Sequence, residues 1–567
     1  MAGARVSDVL MCFSMHVTFR QEPYFVVLLF LAGTLLALAN ANGLMLYSLD
    51  EVKNATCARE MWHSGEGIVP TFNQTLRTDK PPLHYYFMVF AYSLLGPTAF
   101  AARLFSAVMS GATIVITYLF GKRYLGRTPA LWAVVALLGS IHWAVQFHMS
   151  VPDPYLIFFM VAALFAFYHG LHSGKAFYLF WMYAALALAT LAKGPIGLAL
   201  PGLIMLLYMI FTRRLRWSVL RQLHIPPGVL FYLGVVLPWY VLVHLKTGGE
   251  WTEGFFLKHN LGRFTDTMEG HGGIFLVTFA FVLGGMLPFS IFIPQTVVYL
   301  FKLARGKGPF DGACRSRSAI DALIFVGTGA AAIVLFFAVS QTKLPNYTVP
   351  AYPLLALGVG AFLNDTIQAG EMRRLRPALW AYAGLMVLFP VAGYIGLGLD
   401  PTVHDLQAHA LWLIWLPLTG ALALWLFYRR NAETSFGALA AGNVLFILLF
   451  FYVVYPPIDQ RNPVAQSMEY LHQDQYPVVI YKRLNPAYIF HRGHPVAKYE
   501  SMEVLRKQVI ARPCYILTRN RYVDQLLAGL PQAQVVFKQR DTFERSTSVI
   551  LFAGDTTSSL QSKAAQE

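Results

Sequence analysis

Apolar residues run along this chain in long stretches, broken by short polar ones. A helix needs roughly 20 apolar residues to cross a bilayer. Stretches suited to that task fall near 24–46, 98–120, 129–149, 152–171, 176–192, 195–212, 228–246, 273–301, 319–340, 348–363, 377–397, 409–428 and 435–455. The segments 176–192 and 348–363 are short for it. The pattern predicts a polytopic α-helical membrane protein with about thirteen transmembrane helices. The segment 83–95 (LHYYFMVFAYSLL) is too short to span, and its aromatic content suits a juxtamembrane helix at the interface. The run from Pro23 to Leu46 exceeds the apolar core of a signal peptide and reads as an uncleaved anchor, although Ala37, Ala39 and Ala41 resemble a cleavage site.

The pattern changes after residue 455. Short strand-like runs at Pro477–Tyr481, Cys514–Thr518, Gln534–Phe537 and Ser548–Phe552 surround a helical period at Met502–Ile510. They predict a small α/β domain over 456–555, followed by a disordered tail at 556–567. The membrane body is then 1–455, with long loops at 47–97 and 247–272.

Composition agrees with lipid as the solvent. Of 567 residues, 56% are hydrophobic and only 13% charged, about half the charge of a soluble domain. The net charge of +15 would suggest nucleic acid in a soluble protein. Here the basic residues occupy alternate short loops: Lys122-Arg123, Arg213 to Arg216, Lys302 to Arg317, Arg373 to Arg376 and Arg429-Arg430. Lysine and arginine oppose translocation, so these loops are cytoplasmic. The N-terminus is then cytoplasmic, and the long loops and the C-terminal domain lie outside. No nucleic-acid partner is expected. The four cysteines, Cys12, Cys57, Cys314 and Cys514, form no C-x-x-C pair and indicate no zinc or redox motif. Spacing alone does not support a disulfide between Cys57 and Cys514.

The candidate chemistry gathers on the outer side. Asp50 and Glu51 follow the first span; adjacent carboxylates can bind a metal, orient a hydroxyl or accept a proton, or can simply begin a helix with Asp50 as its N-cap. Lys80 precedes Pro81-Pro82, which hold it in extended backbone where its ammonium can meet a phosphate. Asp153 stands between two prolines at an outer turn, either as a functional carboxylate or as a turn former. Lys193 lies in an apolar setting that calls for an anionic partner. His259 and Arg263 in the second loop suit an anion or a metal. Lys343 and Tyr347 sit in another outer turn, where tyrosine also serves as an interface anchor. With Asp79, these residues come from six separate outer segments. Together they make a mixed acidic and basic pocket at lipid level, suited to a reaction on a lipid phosphate. A transporter would place such groups nearer the bilayer midplane and show repeats. A non-catalytic scaffold would have no need of them.

The motifs DEVKNATCAREM, DKPPLHYY, FAARLFSAV, the aspartate after the third span, LAKGPIGLALP, FFLKHNLGRF and SQTKLPNYTVPAYP resemble the GT-C glycosyltransferases of the aminoarabinose-lipid A transferase and protein O-mannosyltransferase type. The likeness covers nearly the whole chain and is closer to the bacterial aminoarabinose branch. It implies a GT-C fold in the inner membrane and an inverting transferase. That enzyme would take a sugar from a polyprenyl (undecaprenyl) phosphate and act on the periplasmic face. The implied acceptor is a lipid A phosphate, with protein or another envelope glycan as the alternative. Carried over motif by motif, Asp50 is the principal catalytic carboxylate, with Glu51 beside it and Asp153 assisting. Lys80, Lys193 and Tyr347 hold the donor phosphate, and Arg263 and Lys343 are further substrate-binding candidates. That branch has Glu-Lys-Pro-Pro where this chain has Asp79-Lys80-Pro81-Pro82. Its glutamate can share a metal with the second-loop histidine, so Asp79 and His259 are the candidate ligands for zinc or magnesium. No cofactor is obligatory, and a monomer is expected.

Overall fold

Each of the apolar stretches becomes a helix or a pair of helices, because a backbone surrounded by hydrocarbon must satisfy its own hydrogen bonds. The computed structural model describes residues 22–261, 273–306, 315–429, 431–472, 476–542 and 546–554. The membrane body begins with α1 (Glu22–Ala37), α2 (Leu49–Ser64), α3 (Leu83–Leu95) and α4 (Ala99–Tyr124). A bent pair follows, α5 (Arg127–Leu138) and α6 (Ile141–His148). Next come α7 (Asp153–Ser173), α8 (Ala176–Lys193), α9 (Ile196–Phe211), α10 (Ile225–Lys246), α11 (Glu250–Glu253), α12 (Arg317–Val339) and α13 (Tyr352–Gln368). Three further apolar helical stretches run over Met372–Leu399, His404–Arg429 and Ala432–Asp459.

Among the described residues, eight helices are long and apolar enough to cross a membrane, or nine if α5 and α6, bent by 66°, form one span. The other four expected spans carry shorter or broken helices, and particular residues account for this. The first was expected to run to Leu46, but α1 ends at Ala37 and the chain turns through Asn40 at φ 52°. The stretch 273–301 is interrupted between Val277–Gly285 and Ile293–Ala304. Pro288 follows Gly284-Gly285 there, and proline cannot donate to a helical ladder. Large apolar side chains such as Leu230, Leu237 and Leu245 on α10 face outward, as expected of a helix solvated by lipid.

Arg103, buried in the first turns of α4, ties the beginning of the chain together. Its Nε and Nη2 bind the two carboxylate oxygens of Glu51 at 2.8 and 3.1 Å. Its remaining donors reach the carbonyls of Ala41, Leu44 and Met45. Carbonyls of the non-helical connection between α1 and α2 are thus satisfied by a guanidinium rather than by a further helical turn. Ser150 N–H also donates to Glu51 Oε1 at 3.0 Å. Ser48, not Asp50, precedes the first helical residue of α2, and the acidic pair lies in the first turn.

The C-terminal region forms a five-stranded mixed sheet of β3 (Val478–Tyr481), β4 (Ala497–Tyr499), β5 (Cys514–Arg519), β6 (Ala533–Arg540) and β7 (Thr547–Ala553), in the order β4-β3-β5-β7-β6. β3 runs parallel to β4 and β5, and β7 antiparallel to β5 and β6. Strand alternation gives the sheet two buried faces. Val478, Ile480, Leu517 and Ile550 join a core shared with α2 and α3, including Val52, Ala55, Tyr85 and Tyr92. Val479, Ile516, Val549 and Leu551 pack with Leu505, Val509 and Leu526 on the other side. Polar bonds fix the docking. Arg59 of α2 donates to the carbonyls of Phe490 and Ile489 at 2.5 and 2.9 Å. Asn73, in the turn of a two-strand ribbon formed by β1 (Thr71–Phe72) and β2 (Thr75–Leu76), exchanges two 2.8 Å bonds with the backbone of Val496. Cys57 and Cys514 are buried free thiols, and Cys12, Cys314 and the tail 556–567 lie outside the described residues.

Two substitutions test this packing. Arg103→Leu leaves Glu51 and three carbonyls without their donor, and removing one partner of a buried pair costs about 3–5 kcal/mol. Thermal unfolding in detergent should show a large loss of stability and of folded yield. Gly360 of α13 lets that helix meet α5 closely: an added Cβ would lie 2.2 Å from the Pro129 carbonyl oxygen and 3.0 Å from Ala133 N. Gly360→Ala should cost about 1–3 kcal/mol, whereas Gly384→Ala, where nothing lies within 4 Å, should be nearly neutral in the same measurement.

Candidate functional site

The helices α7 and α8 form an antiparallel hairpin across the short turn at Gly174 and Lys175. At 1.5 Å per residue both are about 27–31 Å long, so the first residue of α7 meets the last of α8. These residues are Asp153 and Lys193, and Lys193 Nζ binds Asp153 Oδ1 at 2.6 Å. The placement suits both helix dipoles, with an acid at an N-terminus and a base at a C-terminus. Asn346 Nδ2 donates to the same Oδ1 at 2.9 Å, and the Lys193 ammonium lies 5.0 Å from the centre of the Tyr347 ring. Asn346 and Tyr347 come from the 3-10 turn Pro345–Ala351 that follows α12.

A cavity of about 260 Å³ opens at this point. Its polar lining is Asp79, Lys80, Asp153, Lys193, Ser340, Asn346 and Tyr347, and its apolar wall includes Leu156, Ile196, Phe255, Phe336 and Phe337. Gly194 closes α8 at φ +83°, and a Cβ there would lie 2.5 Å from Cζ of Phe255. The tight fit holds this aromatic wall against the end of α8. Lys80 and Asp153 are both buried, at 7% and 6% exposure. Ammonium groups, carboxylates and a phenol are thus concentrated at one end of an apolar trough. Such a site suits an amphipathic anion, with a charged head among fixed donors and a hydrocarbon chain along the wall.

The segment carrying Asp79 and Lys80 is anchored from below. Arg77 Nε donates to Asp79 Oδ2 at 3.2 Å, and its Nη1 reaches Cys57 Sγ at 3.6 Å. Burial pushes the Cys57 thiol up to about 11, so Arg77 meets a neutral thiol. Trp251 of α11 donates Nε1 to the Arg77 carbonyl at 2.9 Å and stacks on Phe255 at 4.7 Å. The second loop therefore braces the first.

Five residues singled out in the sequence, Asp79, Lys80, Asp153, Lys193 and Tyr347, share this cavity. Three others stand elsewhere. Glu51 is 3% exposed and held by Arg103 and Ser150. Asp50 is exposed on the first turn of α2 and is not part of the cavity wall. Lys343 is buried and donates to the Ser340 carbonyl at 2.5 Å. The side chain of His259 and the whole of Arg263 lie outside the described residues. For the metal expected at Asp79 and His259, the described neighbour of Asp79 is a guanidinium. No group of three or more His, Cys, Asp or Glu side chains comes together among the described residues. The His259 side chain lies outside the described residues, so the pairing expected with Asp79 lies outside them too. Sequence reasoning passed over Asn346, whose signal was its place between Pro345 and Tyr347 in one polar turn. It also passed over the phenylalanine wall, which has no signal apart from general apolarity.

The dolichyl-phosphate-mannose-protein mannosyltransferase family matches residues 79–242 of the chain, the part that carries Asp79, Lys80, Asp153 and Lys193. An undecaprenyl phosphate-α-4-amino-4-deoxy-L-arabinose arabinosyl transferase of Pseudomonas fluorescens is 26% identical over 490 residues, covering 85% of this chain and 83% of the relative. The corresponding transferase of Serratia proteamaculans is 25% identical over 451 residues, 77% of this chain and 78% of the relative. The crystal structure of ArnT from Cupriavidus metallidurans bound to undecaprenyl phosphate superposes with a TM-score of 0.79 at 24% identity, covering 94% of this chain and 98% of that one. In sequence over most of its length and in fold over nearly all of it, this multi-pass membrane chain is similar to the GT-C glycosyltransferases of the aminoarabinose-transferase and protein-mannosyltransferase type.

Proposed function

We propose that the protein transfers a sugar from a polyprenyl phosphate, of the undecaprenyl type, to a phosphate of lipid A at the periplasmic face of the inner membrane. The reading rests on one observation above all: Lys80, Lys193, Asp153 and Tyr347 meet at the end of an apolar trough. In this reading the membrane body is 1–455, with its N-terminus in the cytoplasm, and the C-terminal unit 456–555 lies in the periplasm. The named relatives act with undecaprenyl-phosphate-linked aminoarabinose, which supports the choice of donor class.

The roles follow from charge. The carrier chain lies along Phe336, Phe337 and Ile196, and the carrier phosphate lies between Lys80 and Lys193. An acceptor oxygen forms the new bond to the anomeric carbon as the bond from that carbon to the carrier phosphate oxygen breaks. The electron pair leaves with the phosphate, and the configuration inverts. Charge lost from the sugar ring, which becomes oxocarbenium-like, gathers on the leaving phosphate, where the two ammonium groups and the Tyr347 hydroxyl stabilise it. Asp153 holds Lys193 in place through its 2.6 Å bond until the phosphate arrives. Asp50, exposed on α2, orients a phosphate acceptor or takes the proton of a hydroxyl acceptor. Glu51 positions α2 through Arg103 rather than touching substrate.

Mass spectrometry of lipid A from cells with and without the protein tests the reading. Wild type should add a sugar, and Asp50→Asn should abolish or sharply reduce the addition. An unchanged lipid A, with the sugar found on protein instead, would move the acceptor. Undiminished transfer by Asp50→Asn would favour a transporter. Lys193→Met should lower the transfer rate by about 10²–10³, the range for losing a fixed donor to developing charge, and Asp153→Asn, which loosens Lys193 without removing it, should lower the rate less, with both chains still folded in detergent. Gly194→Ala, by displacing Phe255, should raise the KM for the donor more than it lowers kcat.

A further inference from the structure

A second cleft, of about 570 Å³, lies between α2 and the C-terminal sheet domain. Its lining includes Lys53, Arg483, Arg519 and Arg521, with no carboxylate in the lining among the described residues. Arg519 is tethered to the buried carboxylate of Asp541 and reaches Ser548 Oγ at 3.3 Å. Asp541 is held in turn by Ser548 at 2.6 Å and Asn485 at 3.3 Å. The Arg521 guanidinium lies 4.6 Å from the centre of the Tyr522 ring. The cleft thus combines fixed guanidinium groups with the freer side chains of Lys53 and Arg483. Even after Asp541 offsets one charge, a cationic excess remains, and planar guanidinium groups match phosphate oxygens in pairs.

Its position matters as much as its charge. Leu49 and Lys53 line the cleft. Lys53 follows Asp50 by three residues on α2, so the two share a helix face. The inward side of the same helix touches the region of the first cavity. Glu51 accepts from Ser150 N–H, and Asn54 Nδ2 reaches the Ser150 carbonyl at 3.5 Å, three residues before Asp153. Helix α2 therefore stands between the basic cleft and the donor cavity, with Asp50 on its exposed first turn. The bonds of Arg59, Asn73 and His491 hold the sheet domain to this arrangement.

We propose that this cleft binds phosphate groups of the acceptor glycolipid and so presents the acceptor at Asp50. The inference deepens the functional reading above and rests on it. It assigns acceptor choice to Lys53, Arg483, Arg519 and Arg521, whereas donor binding belongs to Lys80 and Lys193.

Arg483 and Arg521 are exposed, so replacing both with alanine leaves the cores intact. The full chain, in nanodiscs of neutral phosphatidylcholine, is titrated with bis-phosphorylated lipid A, with the same lipid stripped of phosphate, and with undecaprenyl phosphate, read by native mass spectrometry. Wild type should bind the phosphorylated acceptor about tenfold tighter than the stripped one, the effect expected of two exposed charge contacts. The R483A/R521A chain should lose that preference and keep wild-type affinity for undecaprenyl phosphate, and R483K/R521K should recover most of it. Equal binding of the two lipids by wild type, or an unchanged preference in R483A/R521A, would overturn the proposal. Phosphatidylglycerol or inorganic phosphate competing as well as lipid A would also overturn it, by revealing a general anion site. Failure of wild type to bind undecaprenyl phosphate would instead count against the functional reading, so the two failures are distinguishable.

Discussion

The geometry around α2 depends on one buried guanidinium. Arg103 binds both oxygens of Glu51 and the carbonyls of three residues between α1 and α2. Taking such a group out of water is costly, and the cost is offset only when its donors are nearly all used. Because Arg103 stands on α4 and its partners come from α2 and the connecting turn, satisfying the guanidinium sets where α2 begins and how it lies. Asp50, Lys53 and Arg59 then follow as positions on that helix. The first faces solvent, the second lines the basic cleft, and the third anchors the sheet domain.

The cavity is built on a second constraint, the matched lengths of α7 and α8. An antiparallel hairpin of two nearly equal helices brings its ends together, so the contact between Asp153 and Lys193 spans 40 positions in sequence. In a low-dielectric setting, two such charges could not be left unpaired. Their mutual bond keeps the site neutral until an anion competes for the ammonium. An ammonium held in this way selects by charge, and the phenylalanine wall beside it favours hydrocarbon. The cavity thus joins a charged end to an apolar wall.

Much of this was legible in the sequence. Every long apolar stretch carries a helix, and the four strand-like runs of the C-terminal region are strands β3, β5, β6 and β7 to within a few residues. Five of the polar residues chosen from separate loops share one cavity. Adjacent residues on a helix point about 100° apart, so Asp50 and Glu51 look like one motif in sequence, yet Asp50 is exposed and Glu51 is bound to Arg103. Lys343 and Tyr347 likewise look like one cluster in sequence. The turn that carries Asn346 and Tyr347 into the cavity leaves Lys343 bonded to the Ser340 carbonyl. Strand β4, with only three residues, is too short to have a period.

The sequence by itself determined the solvent and the approximate segmentation, and it set the expectation that chemistry gathers on one side of the membrane. These properties depend on local hydrophobicity and on charge in short loops, both of which can be summed along a chain. It also marked the residue types suited to a lipid phosphate. Only the tertiary structure decided which charges neutralise one another, which helices are too short or broken to span alone, and that a second basic cleft lies across α2 from the first cavity. Those outcomes depend on helix rotation and on contacts between residues up to several hundred positions apart, such as Arg59 with Phe490. A local pattern carries no information about either, because side-chain direction is settled only when the helices pack.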